Sequence, residues 1–142
     1  MKQYWTPWKT RVLDALAAMT ADDIHRDLLE ETLLIETPPD TTKGDIAFPM
    51  FPFARVLRRN PVQIATTVAE AITGTTPESG RAEAMGPYVN IFLRREVVGA
   101  EVINTALSQG RSYGDGETLQ GHGVLIEFSC PNTNKPLHLG HL

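Results

Sequence analysis

The stretch from Val124 to Leu142, VLIEFSCPNTNKPLHLGHL, constrains the possible architecture more than any other part of this chain. Val124, Leu125, Ile126 and Phe128 give an apolar strand pattern that breaks at Pro131-Asn132, passes Pro136 and ends in His138-Leu139-Gly140-His141. Proline is tolerated in a first helical turn, so a helix starting near Pro136 sets His138 and His141 on one face, three positions apart. The start of a helix also offers unpaired N–H groups and the positive end of the macrodipole. A phosphate chain lying there meets donors from backbone and side chains together. Gly140 has no Cβ and lets a flat purine or a ribose approach the backbone. A strand feeding such a helix opens a doubly wound nucleotide fold, in which ligands bind beyond the carboxyl ends of the strands.

Spacing alone leaves other readings of the histidines open, namely a surface pair or half of a metal site. No cysteine cluster or second histidine pair supports metal, and no metal ligand is assigned. Cys130, a single cysteine beside a strand of buried type, reads as a small packing residue and not as a nucleophile.

The longer string Glu127-Phe128-Ser129-Cys130-Pro131-Asn132-Thr133-Asn134-Lys135-Pro136-Leu137-His138-Leu139-Gly140-His141 closely resembles the first signature motif of class I aminoacyl-tRNA synthetases, in the form found in arginyl-tRNA synthetases. Cys130 stands where a serine or alanine is more usual, a minor departure. The resemblance implies that His138 and His141 contact ATP phosphates, that Lys135 adds positive charge there as part of the catalytic set, and that Gly140 lies under the adenosine. It implies that Glu127 and Asn132 hold arginine and that Ser129 lines the same pocket. The chemistry agrees: a guanidinium needs a carboxylate, and charge developing at the α-phosphate needs fixed cations and donors. Adenylate formation is in-line attack by a carboxylate on phosphorus, so positioning and electrostatics carry it without a protein nucleophile. Also implied are ATP as a substrate accompanied by Mg2+, no tightly bound cofactor, tRNA(Arg) and L-arginine as partners, a monomeric parent protein, and a cytoplasmic setting without DNA or membrane.

At 142 residues, 42% hydrophobic and 21% charged, the chain suffices for one ordinary domain with a core and the start of another. One cysteine excludes an internal disulfide and fits a reducing compartment. No apolar run has the length of a signal-peptide core or a membrane span. The net charge of −4 argues against a simple nucleic-acid binder, so any RNA contact must be local. The pattern stops at Leu142, one residue past the motif and in mid-helix, which suggests a fragment that is inactive by itself.

From the amino terminus, Thr6-Pro7 reads as the cap and first position of a helix with the stripe Trp8, Val12, Leu16 and Met19. Thr20-x-x-Asp23 resembles a capping box and opens a short acidic helix to about Glu30, with His25 a surface or cap residue. Leu33-Leu34-Ile35 reads as a strand stopped by Pro38-Pro39, followed by the turn-rich Asp40 to Asp45 and the apolar Ile46-Ala47-Phe48-Pro49. Lys43-Gly44 lacks the spacing of a phosphate loop. This Pro-Pro, loop, Gly-Asp pattern is similar to the N-terminal domain of arginyl-tRNA synthetases. Arg55, Arg58 and Arg59 form a basic spot at a helix end, open to reading as favourable end charge or as an RNA contact. Asn60-Pro61 caps the next helix, whose stripe is Val62, Ile64, Ala65, Val68, Ala69 and Ile72. Residues 81 to 93 read as two strand pieces around Gly86-Pro87, and Arg94 to Gln109 as a helix burying Val97, Val98, Val102, Ile103, Ala106 and Leu107.

Alternation in the second strand piece puts Val89, Ile91 and Leu93 on one face and Tyr88, Asn90 and Phe92 on the other. Aromatic rings stack on any base and an amide reads its edge, so the second face suits an unstacked nucleotide; it equally suits packing under a helix. Gly-Pro-Tyr-Val-Asn-Ile-Phe-Leu is similar to the synthetase segment that touches an exposed D-loop nucleotide of tRNA, with Tyr88 and Asn90 at the contacting positions.

The expected fold is α+β. Residues 1–110 form a small antiparallel sheet of roughly four strands covered by helices, the N-terminal additional domain of arginyl-tRNA synthetases. Residues 111–121 form a Gly-rich linker, and 122–142 supply the first strand and helix start of a Rossmann-like α/β catalytic domain. Two alternatives stand beside this reading. Nucleotidylyltransferases use His-x-Gly-His close to their amino terminus and lack the Ser-x-Pro-Asn-x-x-Lys-Pro lead-in. A non-catalytic RNA-binding module would need no histidine pair.

Overall fold

The computed structural model describes residues 2–20, 26–73, 80–116, 118–126, 134 and 136. The chain divides into two compact units, Met1–Asn104 and Thr105–Leu142.

In the first unit, α1 (Lys2–Ala18) carries Tyr4, Trp8, Val12 and Leu16 at intervals of one turn, and all four are buried. The expected start at Pro7 is corrected: Pro7 lies inside the helix. Tyr4 extends the apolar stripe one turn further, and its hydroxyl donates to Glu101 Oε2 at 2.9 Å. Burying that ring outweighs the one backbone hydrogen bond that proline removes. Next, α2 (Arg26–Thr32) buries Leu29 and is tied to α1 by the exposed pairs Lys9–Glu30 and Arg26–Asp14, each at 2.6 Å.

The expected strand over Leu33 to Ile35 is reduced to a single bridge, Glu36 with Ala47, so among the described residues the sheet has three strands where roughly four were expected. Pro38 and Pro39 have no N–H to donate, and the ladder cannot continue past the bridge. The strands are β1 (Ile46–Pro49), β2 (Gly80–Met85) and β3 (Tyr88–Leu93), antiparallel in the order β1-β3-β2. The β2-β3 connection is the two-residue Gly86-Pro87, with Gly86 at φ 59, the hairpin class that places glycine first.

Between β1 and β2 lie α3 (Phe53–Leu57) and α4 (Pro61–Thr73). Asn60 Oδ1 accepts from the Val62 amide at 2.8 Å, the cap that Asn-Pro implies. Ile64, Ala65, Val68, Ala69 and Ile72 are buried, whereas Val62, in the first turn and away from the sheet, is not. This helix packs on β2, β3 and α1. Register puts Ile46 opposite Ile91, Phe48 opposite Val89, and Ala82 opposite Ile91, so these side chains share the face beneath the helices. All are buried. Gly80 sits where a Cβ would come within 2.6 Å of the Phe92 carbonyl and 3.1 Å of the Trp8 ring, which lets α1 press directly on the sheet edge.

The last helix, α5 (Arg95–Gln109), has no buried residue. Its expected buried stripe is therefore a correction: only Val98 reaches the margin of the core, and Ile103 and Leu107 are exposed. At about 100° per residue the six expected positions are spread around most of the helix and share no single face; Val97, Val98, Val102 and Ala106 are half-buried and Ile103 and Leu107 exposed.

In the second unit, Val124, Leu125 and Ile126 are exposed and carry no strand pairing. No described helix is long and apolar enough to cross a membrane.

Candidate nucleic-acid interface

The sheet face turned away from the helices carries Ala47 from β1, Tyr88, Asn90 and Phe92 from β3, and Arg81, Glu83 and Met85 from β2. The segment Glu36 to Lys43 crosses it. Asp40 accepts from the Thr42 amide at 2.9 Å and caps a 3-10 turn over Thr41–Lys43, and this bond, followed by one from the Thr42 hydroxyl, holds the exposed Asp40 carboxyl below its ordinary range. Gly44 ends the turn at φ 100, ψ −174, a region essentially reserved for glycine. A Cβ there would come within 2.8 Å of the Ile91 carbonyl oxygen. Asp45 then locks the turn to β3: its amide donates to the Ile91 carbonyl at 2.8 Å, and its carboxylate accepts from the Leu93 amide at 2.9 Å and from Arg95 at 2.7 Å.

Between this crossing segment and the sheet lies a cavity of about 310 Å3, at the small end of ligand-sized pockets. Ala47 and Asn90 line it from the sheet, Met85 and Tyr88 from the hairpin end, and Glu36 to Pro39 with Lys43 from the segment above. Asn90 is 4% exposed. Its Nδ2 donates to the Lys43 carbonyl at 2.8 Å, with Met85 Sδ at 3.1 Å. The Lys43 carbonyl can only accept, so the amide cannot be turned over, and Oδ1 is left buried with no hydrogen-bond partner among the described residues. Leaving an acceptor in that state costs on the order of 1–3 kcal/mol.

Tyr88 is half-buried and meets the ring of Phe51 edge-on, with centroids 5.4 Å apart and planes at 86°. Phe51 is itself 51% exposed, so the cavity opens beside a pair of aromatic rings. Phe92 is not brought into the cavity: the Arg81 guanidinium lies over its ring at 4.3 Å and is paired with Glu83 at 2.8 Å. The alternation read from the sequence thus places Tyr88 and Asn90 together and Phe92 apart from them. Phe51, Pro38, Pro39, Lys43 and Met85 were not singled out as site residues. Only the register and the crossing of a segment with no periodicity bring them to Asn90.

The other candidate residues, Glu127, Ser129, Asn132, Lys135, His138, Gly140 and His141, lie outside the described residues, as do His25 and Cys130. Among the described residues no group of three or more His, Cys, Asp or Glu side chains could hold a metal ion.

Residues 6–93 match the sequence family described as the arginyl tRNA synthetase N terminal domain. The chain belongs to this family. The resemblance drawn from the motif and from the Pro-Pro and Gly-Pro-Tyr segments is borne out. So is the α+β fold with a small antiparallel sheet. An arginine–tRNA ligase of Treponema pallidum is 39% identical over 142 residues, covering 99% of this chain and 23% of that protein. One from Clostridium botulinum is 42% identical over 120 residues, covering 84% of this chain and 21% of its own length. Among solved structures, the Thermus thermophilus arginyl-tRNA synthetase matches with a TM-score of 0.56 and 26% identity, over 96% of this chain and 20% of that one. The chain thus spans about a quarter of the length of the curated relatives it matches.

Proposed function

We propose that this chain is the tRNA-docking, amino-terminal part of an arginine–tRNA ligase, and that the cavity under Glu36 to Lys43 receives an unstacked nucleotide of the tRNA(Arg) D-loop. The observation that carries this reading is the cavity itself, in a chain of this family. It combines an aromatic pair, a buried amide and one acceptor that the protein leaves unsatisfied. An unstacked base stacks on the rings, and a donor on its edge reaches the orphaned Oδ1 once the segment above it shifts, because that oxygen is buried as the cavity stands. Tyr88 provides the stacking surface, Asn90 the polar reader and Lys43 a nearby cation. Phe92, held under Arg81, supports the face without entering the cavity.

In this reading residues 1–110 are the docking domain, 111–121 the linker and 122–142 the first part of the catalytic domain. The parent protein, a cytoplasmic monomer, activates L-arginine with ATP to arginyl-adenylate and transfers it to tRNA(Arg). Glu127, Ser129 and Asn132 hold arginine, and Lys135, His138, Gly140 and His141 hold ATP, which brings its own Mg2+.

The test uses the full-length protein. Tyr88→Ala and Asn90→Ala weaken tRNA use and leave arginine and ATP binding intact; unchanged charging kinetics in both would refute the D-loop role. His138→Ala and His141→Ala slow arginine activation by roughly 100- to 1,000-fold, the size of a lost transition-state donor. Dependence of ATP–pyrophosphate exchange on arginine, measured with and without tRNA, separates this reading from a nucleotidylyltransferase.

A further inference from the structure

We propose that Phe51, Arg55, Arg58 and Arg59 form a ridge that carries the sugar–phosphate backbone of RNA flanking the nucleotide in the Tyr88–Asn90 cavity. The inference rests on the RNA reading of that cavity and extends it to a surface of α3.

The ridge is built by local geometry. Met50 donates its amide to the Pro87 carbonyl at 2.9 Å, which pins the start of this segment to the hairpin that bears Tyr88. The Phe53 and Ala54 amides then donate to the Met50 and Phe51 carbonyls, so the chain is already turning helically at Phe51. Phe53 is fully buried and fixes which side of α3 faces the core. Phe51 and Arg55, one turn apart, lie on the opposite side, and Arg58 and Arg59 follow directly after the last helical residue, Leu57; all four are exposed. Phe51 is in edge contact with Tyr88, so the arginines begin one turn from the rim of the cavity.

Their charge is not used within the described chain. Arg26, Arg81 and Arg95 are each paired with a carboxylate, whereas the guanidinium groups of Arg55, Arg58 and Arg59 make no hydrogen bond or ion pair among the described residues. No Asp or Glu occurs between Asp45 and Glu70, in a chain whose net charge is −4. Charge compensation at the end of α3 does not account for three cations, because a five-residue helix has little dipole and one charge would serve. Like charges at this spacing repel instead of stabilising. Arg58 also ends the helix in the left-handed conformation, φ 50 and ψ 40, where glycine or asparagine would fit with less strain. Three unpaired guanidinium groups beside an aromatic-lined cavity match a polyanion threaded past a stacked base. An acidic protein surface would explain the charges but not their continuity with Phe51 and Tyr88.

The experiment measures binding of a tRNA(Arg) transcript to the full-length protein as a function of monovalent salt. It compares the wild type with a triple Arg55→Gln, Arg58→Gln, Arg59→Gln variant and with the triple Lys variant. The Gln triple is expected to lower the slope of log affinity against log salt by about 2, at roughly 0.7–0.9 per lost phosphate contact. The Lys triple keeps the slope, since a phosphate contact needs charge and not the planar fork. An unchanged slope in the Gln triple overturns the ridge. So does a drop in thermal stability without a slope change, which would mean that the arginines pair with carboxylates elsewhere in the protein. Tyr88→Ala separates the two readings. Lost affinity there beside an unchanged ridge slope sinks only the ridge, and the converse sinks only the cavity.

Discussion

The side chain of Asn90 is tied to the main chain of Lys43: its Nδ2 donates to the Lys43 carbonyl at 2.8 Å, and this bond leaves the buried Oδ1 without a partner among the described residues. Two substitutions follow different paths from it. Asn90→Asp puts a carboxylate against that carbonyl, and an uncompensated buried charge costs about 3–5 kcal/mol. The loss shrinks as pH falls, because a protonated aspartate can donate where Asn90 does. Asn90→Leu removes the orphaned acceptor but strands the Lys43 carbonyl, so it costs about 1–3 kcal/mol, less than the aspartate at pH 7. Urea unfolding of the three proteins at pH 7 and pH 4 gives the ranking; an aspartate variant as stable as the wild type at pH 7 would show that water reaches the site freely.

Gly44→Ala addresses the same segment through its backbone. The φ of 100 and the approach of 2.8 Å to the Ile91 oxygen, which is backbone and cannot swing away, leave no room for a methyl group. Strain in this region costs on the order of 1–3 kcal/mol. The variant is expected to unfold at lower denaturant concentration and to lose tRNA affinity as the Lys43 carbonyl shifts off Asn90. Retained affinity with reduced stability would mean that the segment repairs itself without moving the cavity.

Much of this architecture was legible in the sequence. The α4 cap and stripe, the Gly86-Pro87 hairpin and the two faces of β3 are local patterns, set by periods of 3.6 and 2 and by turn residues. The start of α1 was misplaced because a proline is weak evidence against burial of Tyr4, whose partner Glu101 lies 97 residues further along the chain. The buried stripe expected of α5 fails on its own periodicity: Val97, Val98, Val102, Ile103, Ala106 and Leu107 are spread around the helix, so no one face could bury them all. Tyr88 and Asn90 were found by alternation. Phe51, Lys43 and the prolines were not, since they meet Asn90 only through the crossing of an aperiodic segment.

Acid should loosen that segment. Hydrogen bonds from Thr42 hold the folded Asp40 carboxyl below its ordinary value of 3.8, so its contribution is present above the unfolded pKa and fades as pH falls through the folded one. The stability gap between the wild type and Asp40→Ala is therefore expected at pH 7 and should narrow below about pH 4. Because Asp40 is exposed, salt should shrink the charge-dependent part of the gap. Thermal melts across this range check the sign; a gap that widens in acid would exclude the carboxylate as the cap.

Asp45 offers the sharpest separation of a buried hydrogen bond from a surface ion pair. One oxygen accepts from the Leu93 amide at 2.9 Å and the other from Arg95 at 2.7 Å, with the Asp45 side chain 9% exposed and that of Arg95 70% exposed. Asp45→Ala strands the Leu93 amide and should cost about 1–3 kcal/mol. Asp45→Asn keeps an acceptor for that amide and loses mainly the attraction to Arg95. Arg95→Ala removes only the ion pair, worth about 0–1 kcal/mol at such exposure. The expected order of destabilisation is Asp45→Ala well above Asp45→Asn, with Arg95→Ala least. If Arg95→Ala proved as damaging as Asp45→Ala, the guanidinium, and not the Leu93 amide, would be what holds the Gly44-Asp45 turn against β3.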